Sequence, residues 1–114
     1  MKIELSNEAQ IKLKKYFDAG KNLLLDLDDG FGRFSDEGTC ALLTKFRIIV
    51  VDSNEDLSDY TVHLDSALGT IYFKDSAKDF LDEHLSLKVD PKTQLLTFSN
   101  SKELIDKSVN IIEE

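Results

Sequence analysis

The residues from Asp26 to Cys40, "DLDDGFGRFSDEGTC", concentrate most of the chemistry this chain could offer. Asp26, Asp28, Asp29, Asp36 and Glu37 supply carboxylates, Gly30, Gly32 and Gly38 supply backbone freedom, and Cys40 is the only thiol among 114 residues. Such a set could serve a hard cation, a phosphate, a thiol nucleophile or an acidic turn. An EF-hand calcium loop counted from Asp26 finds acceptable oxygens at Asp28 and Glu37. It also finds Gly30 where an oxygen side chain is required and Phe31 where the bend needs glycine. A nucleotide cradle fares no better, because Ser35 replaces the third glycine of the dinucleotide pattern, no Lys-Ser or Lys-Thr pair follows, and "SDEGT" starts no helix. Catalysis by Cys40 with His63 or His84 as base would need a cationic or helix-terminal setting for the thiolate, yet Cys40 follows an acidic run. On residue chemistry alone, the stretch reads as a twisted acidic loop whose glycines permit a sharp reversal.

The elements around this stretch can be read from periodicity. "MKIEL" alternates apolar and polar residues as a half-buried strand does. A helix follows, capped by Ser6 or Asn7, with Ala9, Leu13, Tyr16 and Phe17 on one face and Gly20 as its stop. "KNLLLDLD" places Leu23, Leu25 and Leu27 on one strand face, with Asp26 and Asp28 on the other. "TKFRIIVVD" is nearly continuous in apolar, β-branched residues and reads as a central strand covered on both faces. The opening stretch is therefore a long connection between two core strands. "YTVHLD" and "TIYFK" read as further strands, the second entered through Gly69, and "DSAKDFLDEH" as a short helix capped near Asp75 or Ser76, with His84 at its end. "LSLKVDPKTQLLTF" carries the clearest hairpin pattern, turning at Asp90 and Pro91, and "SVNII" reads as a last edge strand. Six to eight short strands with one early and one late helix do not alternate as a parallel βαβ protein would. The fold class expected is mainly β (α+β), a sandwich or partly closed barrel.

Composition narrows the function classes. A single domain over residues 1–114 is expected at this length, and one cysteine excludes an intramolecular disulfide. With 14 Lys and Arg against 22 Asp and Glu, the formal charge is -8, which repels phosphate backbones and argues against nucleic acid as partner. No apolar run approaches the ~20 residues of a spanning helix, and no cationic, apolar leader is visible, so a reducing cytoplasm without membrane attachment is the expected location.

The order of these segments carries a resemblance. "MKIELSNEAQIKLKKYF", "KNLLLDLDDGFG", a cysteine before "FRIIVVD", and "LGTIYFKDSAKDFLDEHLSLKVDP" together resemble the HesB-like, A-type iron–sulfur cluster biosynthesis family, most closely its short Firmicute-type branch. The resemblance implies a HesB-like pseudobarrel of short mixed strands with an N-terminal helix and a second short helix. It also implies a non-enzymatic role in iron–sulfur cluster assembly, with iron or an iron–sulfur cluster as cargo, assembly or recipient proteins as partners, and a homodimer as a compatible state. Cys40 falls near the first of the family's three cysteines and becomes the implied cluster or metal ligand, with Asp28, Asp29, Asp36 and Glu37 as candidate oxygen ligands. The Cys-Gly-Cys of the family's C-terminal region is absent, since no cysteine follows Pro91. One thiolate per chain falls short of the four that commonly hold a cluster. The alternative is a metal-independent protein-binding module that retains the HesB-like fold.

Overall fold

The structure, a computed structural model, describes residues 1–28 and 45–114. Strand β1 (Ile3–Leu5) leads into helix α1 (Asn7–Asp18), then β2 (Asn22–Leu27) and β3 (Phe46–Val51). The chain continues through β4 (Val62–Asp65), β5 (Thr70–Phe73), a 3₁₀ helix (Asp75–Phe80), β6 (Leu85–Val89), β7 (Leu96–Ser99) and β8 (Leu104–Glu113). All eight strands lie in one mixed sheet of order β1-β6-β7-β8-β3-β2-β5-β4. The two ends of that sheet meet at a single parallel bridge, Lys2 to Asp65, where the Asp65 amide donates to the Met1 carbonyl at 2.8 Å. The result is the nearly closed, mainly β architecture that the strand pattern predicts.

Local signals explain most element boundaries. Ser6 has extended backbone and its Oγ accepts the Ala9 amide at 3.2 Å, so α1 begins where the capping residue stands. Ala9, Leu13 and Tyr16 are buried along the predicted face, which packs toward β1, β2 and β6. Gly20, at φ 75°, takes the left-handed conformation that ends the helix. All six residues of β3 are buried, consistent with a strand covered on both faces.

The inner face of the sheet carries the main core. Leu23 and Leu25 of β2, Phe46 and Ile48 of β3, Phe73 of β5 and Phe98 of β7 are fully buried there. Phe46 stacks edge-on against Phe98 with ring centroids 5.0 Å apart and against Phe80 at 5.3 Å, so the 3₁₀ helix is pinned by an aromatic contact. The outer face of β2, β3 and β5 holds a smaller cluster of Leu24, Ile49, Val51 and Tyr60, packed with Leu57 and Tyr72.

Two elements differ from expectation. The segment at residues 75–84 forms a 3₁₀ helix that stops at Phe80 and lacks a side-chain cap, so His84 lies beyond it. The reason is Asp82, whose carboxylate accepts the Ser101 hydroxyl at 2.6 Å and the amides of His84 and Ser101. That arrangement diverts the chain into a turn and holds the acid below the usual carboxylate range, chiefly through the Ser101 hydroxyl. The last strand is also no edge. β8 runs ten residues, pairs antiparallel with β7 and parallel with β3, and thereby joins the two halves of the sheet. Its alternation is interrupted by a bulge between the Leu96–Val109 and Phe98–Asp106 pairs, which hides the strand's true length from a period-2 reading.

Gly69 makes the turn into β5 at φ 149°, and a Cβ there would meet the Phe17 ring at 3.0 Å. The expected consequence of Gly69→Ala is a loss of about 1–3 kcal/mol from overpacking and backbone strain. Urea denaturation measures it, and Phe17→Leu in the same background should recover only the steric part.

Candidate functional site

Burial of charge is the most demanding feature at the end of β2, just before the segment that carries Cys40. Asp26 is 0% exposed, although it ends a run of leucines. Strand alternation puts it on the outer face beside Leu24, directly opposite Arg47 of β3. Its Oδ2 accepts the Arg47 Nε–H at 2.8 Å, its Oδ1 accepts the Tyr60 hydroxyl at 2.8 Å, and the Lys74 ammonium lies 3.4 Å from Oδ1. Lys74 also donates to the Leu27 carbonyl at 3.2 Å. A buried carboxylate is tolerable only when its charge and lone pairs are matched, and three elements converge on Asp26 to match them.

Asp28 extends this cluster toward the segment. Its Oδ2 lies 3.5 Å from Arg47 Nη1, too long for a strong hydrogen bond. Its Oδ1 is buried and has no hydrogen-bond partner among the described residues. Asp26 and Asp28 offset Arg47 and Lys74 within this cluster, and a fifth buried charge among the described residues, Asp106, lies apart at the β8 bulge. Tyr60 stays a neutral donor: burial first, then the negative charge of Asp26, raises its hydroxyl pKa far above the usual phenol value.

The two ends of the Cys40 segment are tied together on this base. The Asp28 amide donates to the Lys45 carbonyl at 2.8 Å, continuing the β2–β3 ladder by one step. Across from it, Asp106 sits at the β8 bulge, where its Oδ2 accepts the Phe46 amide at 2.8 Å and faces the Lys45 ammonium at 3.4 Å. Lys45 further donates to the Ser108 carbonyl and to Ser108 Oγ. A short ladder, a buried charge cluster and a side-chain cap thus anchor residues 28 and 45.

Of the candidate ligands read from the sequence, Asp28 lies in this cluster, whereas Asp29, Asp36, Glu37 and Cys40 lie outside the described residues. Among the described residues, no group of three or more His, Cys, Asp or Glu side chains could hold a metal ion. His63 is exposed on the outer face and stacks edge-on against Tyr72 at 5.0 Å, and His84 is exposed in a turn. Neither meets a thiol or a carboxylate cluster among the described residues. The orphaned Asp28 oxygen could accept a donor or a cation, but Arg47 beside it disfavours a strongly bound metal ion at that atom alone. The sequence reading named Asp28 and missed Arg47, Lys74 and Tyr60. The available signal was an arginine within a strand covered on both faces, because a charge there requires a buried counter-ion.

Removing one partner from such a pair leaves the other charge stranded. Arg47→Met should lower stability by about 3–5 kcal/mol, and Tyr60→Phe by about 2 kcal/mol. Equilibrium urea unfolding distinguishes these from the loss of under about 1 kcal/mol expected of an exposed ion pair.

Comparison with known proteins gives a consistent result. Residues 1–113 match the family described as iron–sulphur cluster biosynthesis. A candidate Fe-S biosynthesis protein from Lactobacillus salivarius, described as having a novel protein fold, is similar at 32% identity over 99% of this chain and 98% of its own, with a TM-score of 0.86. A second candidate Fe-S biosynthesis protein, from Lactobacillus acidophilus, is similar at 27% identity over 99% of this chain and 90% of its own, with a TM-score of 0.74. No curated protein matches. With the family match spanning residues 1–113 and the fold shared with these structures, the chain belongs to the iron–sulphur cluster biosynthesis family.

Proposed function

We propose that this protein is a non-enzymatic, cytoplasmic component of iron–sulfur cluster assembly, a single domain over residues 1–114, in which Cys40 offers one thiolate to iron or to a cluster. The observation that carries this reading is the family match over residues 1–113, in a chain whose only thiol lies in the segment anchored by Asp28 and Lys45. A cluster commonly takes four thiolates, so one chain cannot complete the set. The remaining ligands come from a second copy, from an assembly or recipient protein, or from oxygen donors such as Asp28, Asp29, Asp36 and Glu37. The cargo is therefore shared and weakly held.

A second reading has its own observation. The lone cysteine, with none after Pro91, favours a metal-independent protein-binding module that keeps the fold and uses it to meet assembly proteins.

Anaerobic reconstitution of wild type and Cys40→Ala with iron and sulfide separates the two. The first reading expects visible absorbance and iron at no more than about one thiolate ligand per chain, lost in Cys40→Ala. Absence of iron from both proteins, with binding to assembly proteins unchanged by the substitution, would replace it with the second.

A further inference from the structure

The sheet fails to close along a seam between β1 and β4, at the end of β5 opposite Lys74. β1 is bonded on one side to β6, in parallel register Ile3–Leu85 and Leu5–Leu87, and on the other side it meets β4 only at the Lys2–Asp65 bridge. β4 leaves the sheet there because Ser66 makes a tight turn. Its amide donates to the Gly69 carbonyl at 3.0 Å, and its Oγ accepts the amides of Leu68 and Gly69. Past this point, a groove of about 520 Å³ is lined by residues 2–6 and 65–67, and by Ser86 and Lys88 on the far side of β1.

The hydrogen-bond alternation of β1 decides what the groove presents. The Ser6 amide donates to the Leu87 carbonyl at 3.0 Å, so the amides of Glu4 and Ser6 face β6 and those of Ile3 and Leu5 face away. The Met1 carbonyl already accepts from Asp65. The Ile3 carbonyl and the Leu5 amide therefore point into the groove, spaced as a parallel strand requires for one residue opposite Glu4 to exchange both bonds. This is the place a longer β4 would occupy.

Charge then selects the occupant. The bridge that exists sets acidic Asp65 opposite basic Lys2. One step further, Glu4 is exposed, and beyond it Lys88 is exposed on β6, past Ser86 in register with Glu4. Neither the Glu4 carboxylate nor the Lys88 ammonium has a hydrogen bond or ion pair among the described residues. A strand continuing in the direction of β4 would set a basic residue directly opposite Glu4 and, two positions later and opposite Ser6, an acidic residue on the same face as Lys88, which lies one strand further across β1. A second copy of the chain is disfavoured by mutual repulsion of molecules that each carry a formal charge of -8.

We propose that the seam between β1 and β4 is a strand-addition site that takes an extended segment of another protein, parallel to β1, with the charge order basic, apolar, acidic. Main-chain bonds to Ile3 and Leu5 supply the affinity, and Glu4 and Lys88 read the charge order. This proposal is independent of metal binding and of Cys40.

The test uses fluorescein-labelled, end-capped peptides containing Arg-Val-Glu or the reversed Glu-Val-Arg, titrated with the full chain and read by anisotropy. Preference for Arg-Val-Glu is expected, with Glu4→Lys weakening it about fivefold and moving the preference to a peptide with Glu at the first position. Because Glu4 is exposed, that reversal reads recognition in a folded protein. Equal binding of both charge orders, no binding at millimolar peptide, or self-association of the chain that Glu4→Lys abolishes would each overturn the proposal.

Discussion

The contact on which most of the sheet depends is the burial of the Asp26 carboxylate against Arg47, Tyr60 and Lys74. Stripping water from an unpaired carboxylate is prohibitive, so the fold that buries Asp26 must bring β2, β3 and the end of β5 together, and must lay Tyr60 over them. The same requirement fixes register. A slip of one residue in β2 would turn Asp26 toward Phe46 and Phe73 in the inner core and send Leu25 outward, losing every counter-ion at once. Apolar strands of similar composition pair readily in several registers; one buried charge with three donors selects a single one.

This polar cluster also organises the base of the segment between β2 and β3. Asp28 continues it by one strand residue, Lys45 closes the ladder across from Asp28, and Asp106 reaches from the β8 bulge to cap the first amide of β3. The bulge that shortens the apparent alternation of β8 thus has a structural use. It shifts the register on either side of the Phe98–Asp106 pair, where the Asp106 carboxylate meets Phe46 and Lys45. Two carboxylates from distant parts of the chain therefore hold the points where the Cys40 segment leaves and rejoins the sheet.

Much of this was legible in the sequence, and the failures have specific causes. The capped helix from Ser6, the two central strands, the Gly69 entry to β5 and the hairpin around Asp90 each carry a local signal strong enough to survive tertiary context. The 3₁₀ helix and the length of β8 do not, because they are set by Asp82 reaching residue 101 and by a bulge answering residues 45 and 46. The candidate site divides in the same way. Asp28 was visible as a carboxylate at a strand end, whereas its partners Arg47, Tyr60 and Lys74 come from three separate segments that only the sheet order brings together. The family resemblance supplied what local physics could not, since nothing in the spacing of one cysteine and scattered carboxylates specifies iron.

The geometry also separates two tasks that a cluster-assembly protein must perform. Lys74, which contacts Asp26 and Leu27 at the end of β2, follows the last residue of β5, while Thr70 at the other end of that strand pairs with Asp65 at the seam. At the usual rise per strand residue the two ends lie roughly 13 Å apart. A partner strand seated beside β1 would therefore leave the anchored ends at Asp28 and Lys45 untouched. The proposed docking seam and the anchoring residues Asp28 and Lys45 thus fall at opposite ends of β5, so a strand held at one end leaves those anchors unobstructed, as the proposed sharing of a cargo between two molecules requires.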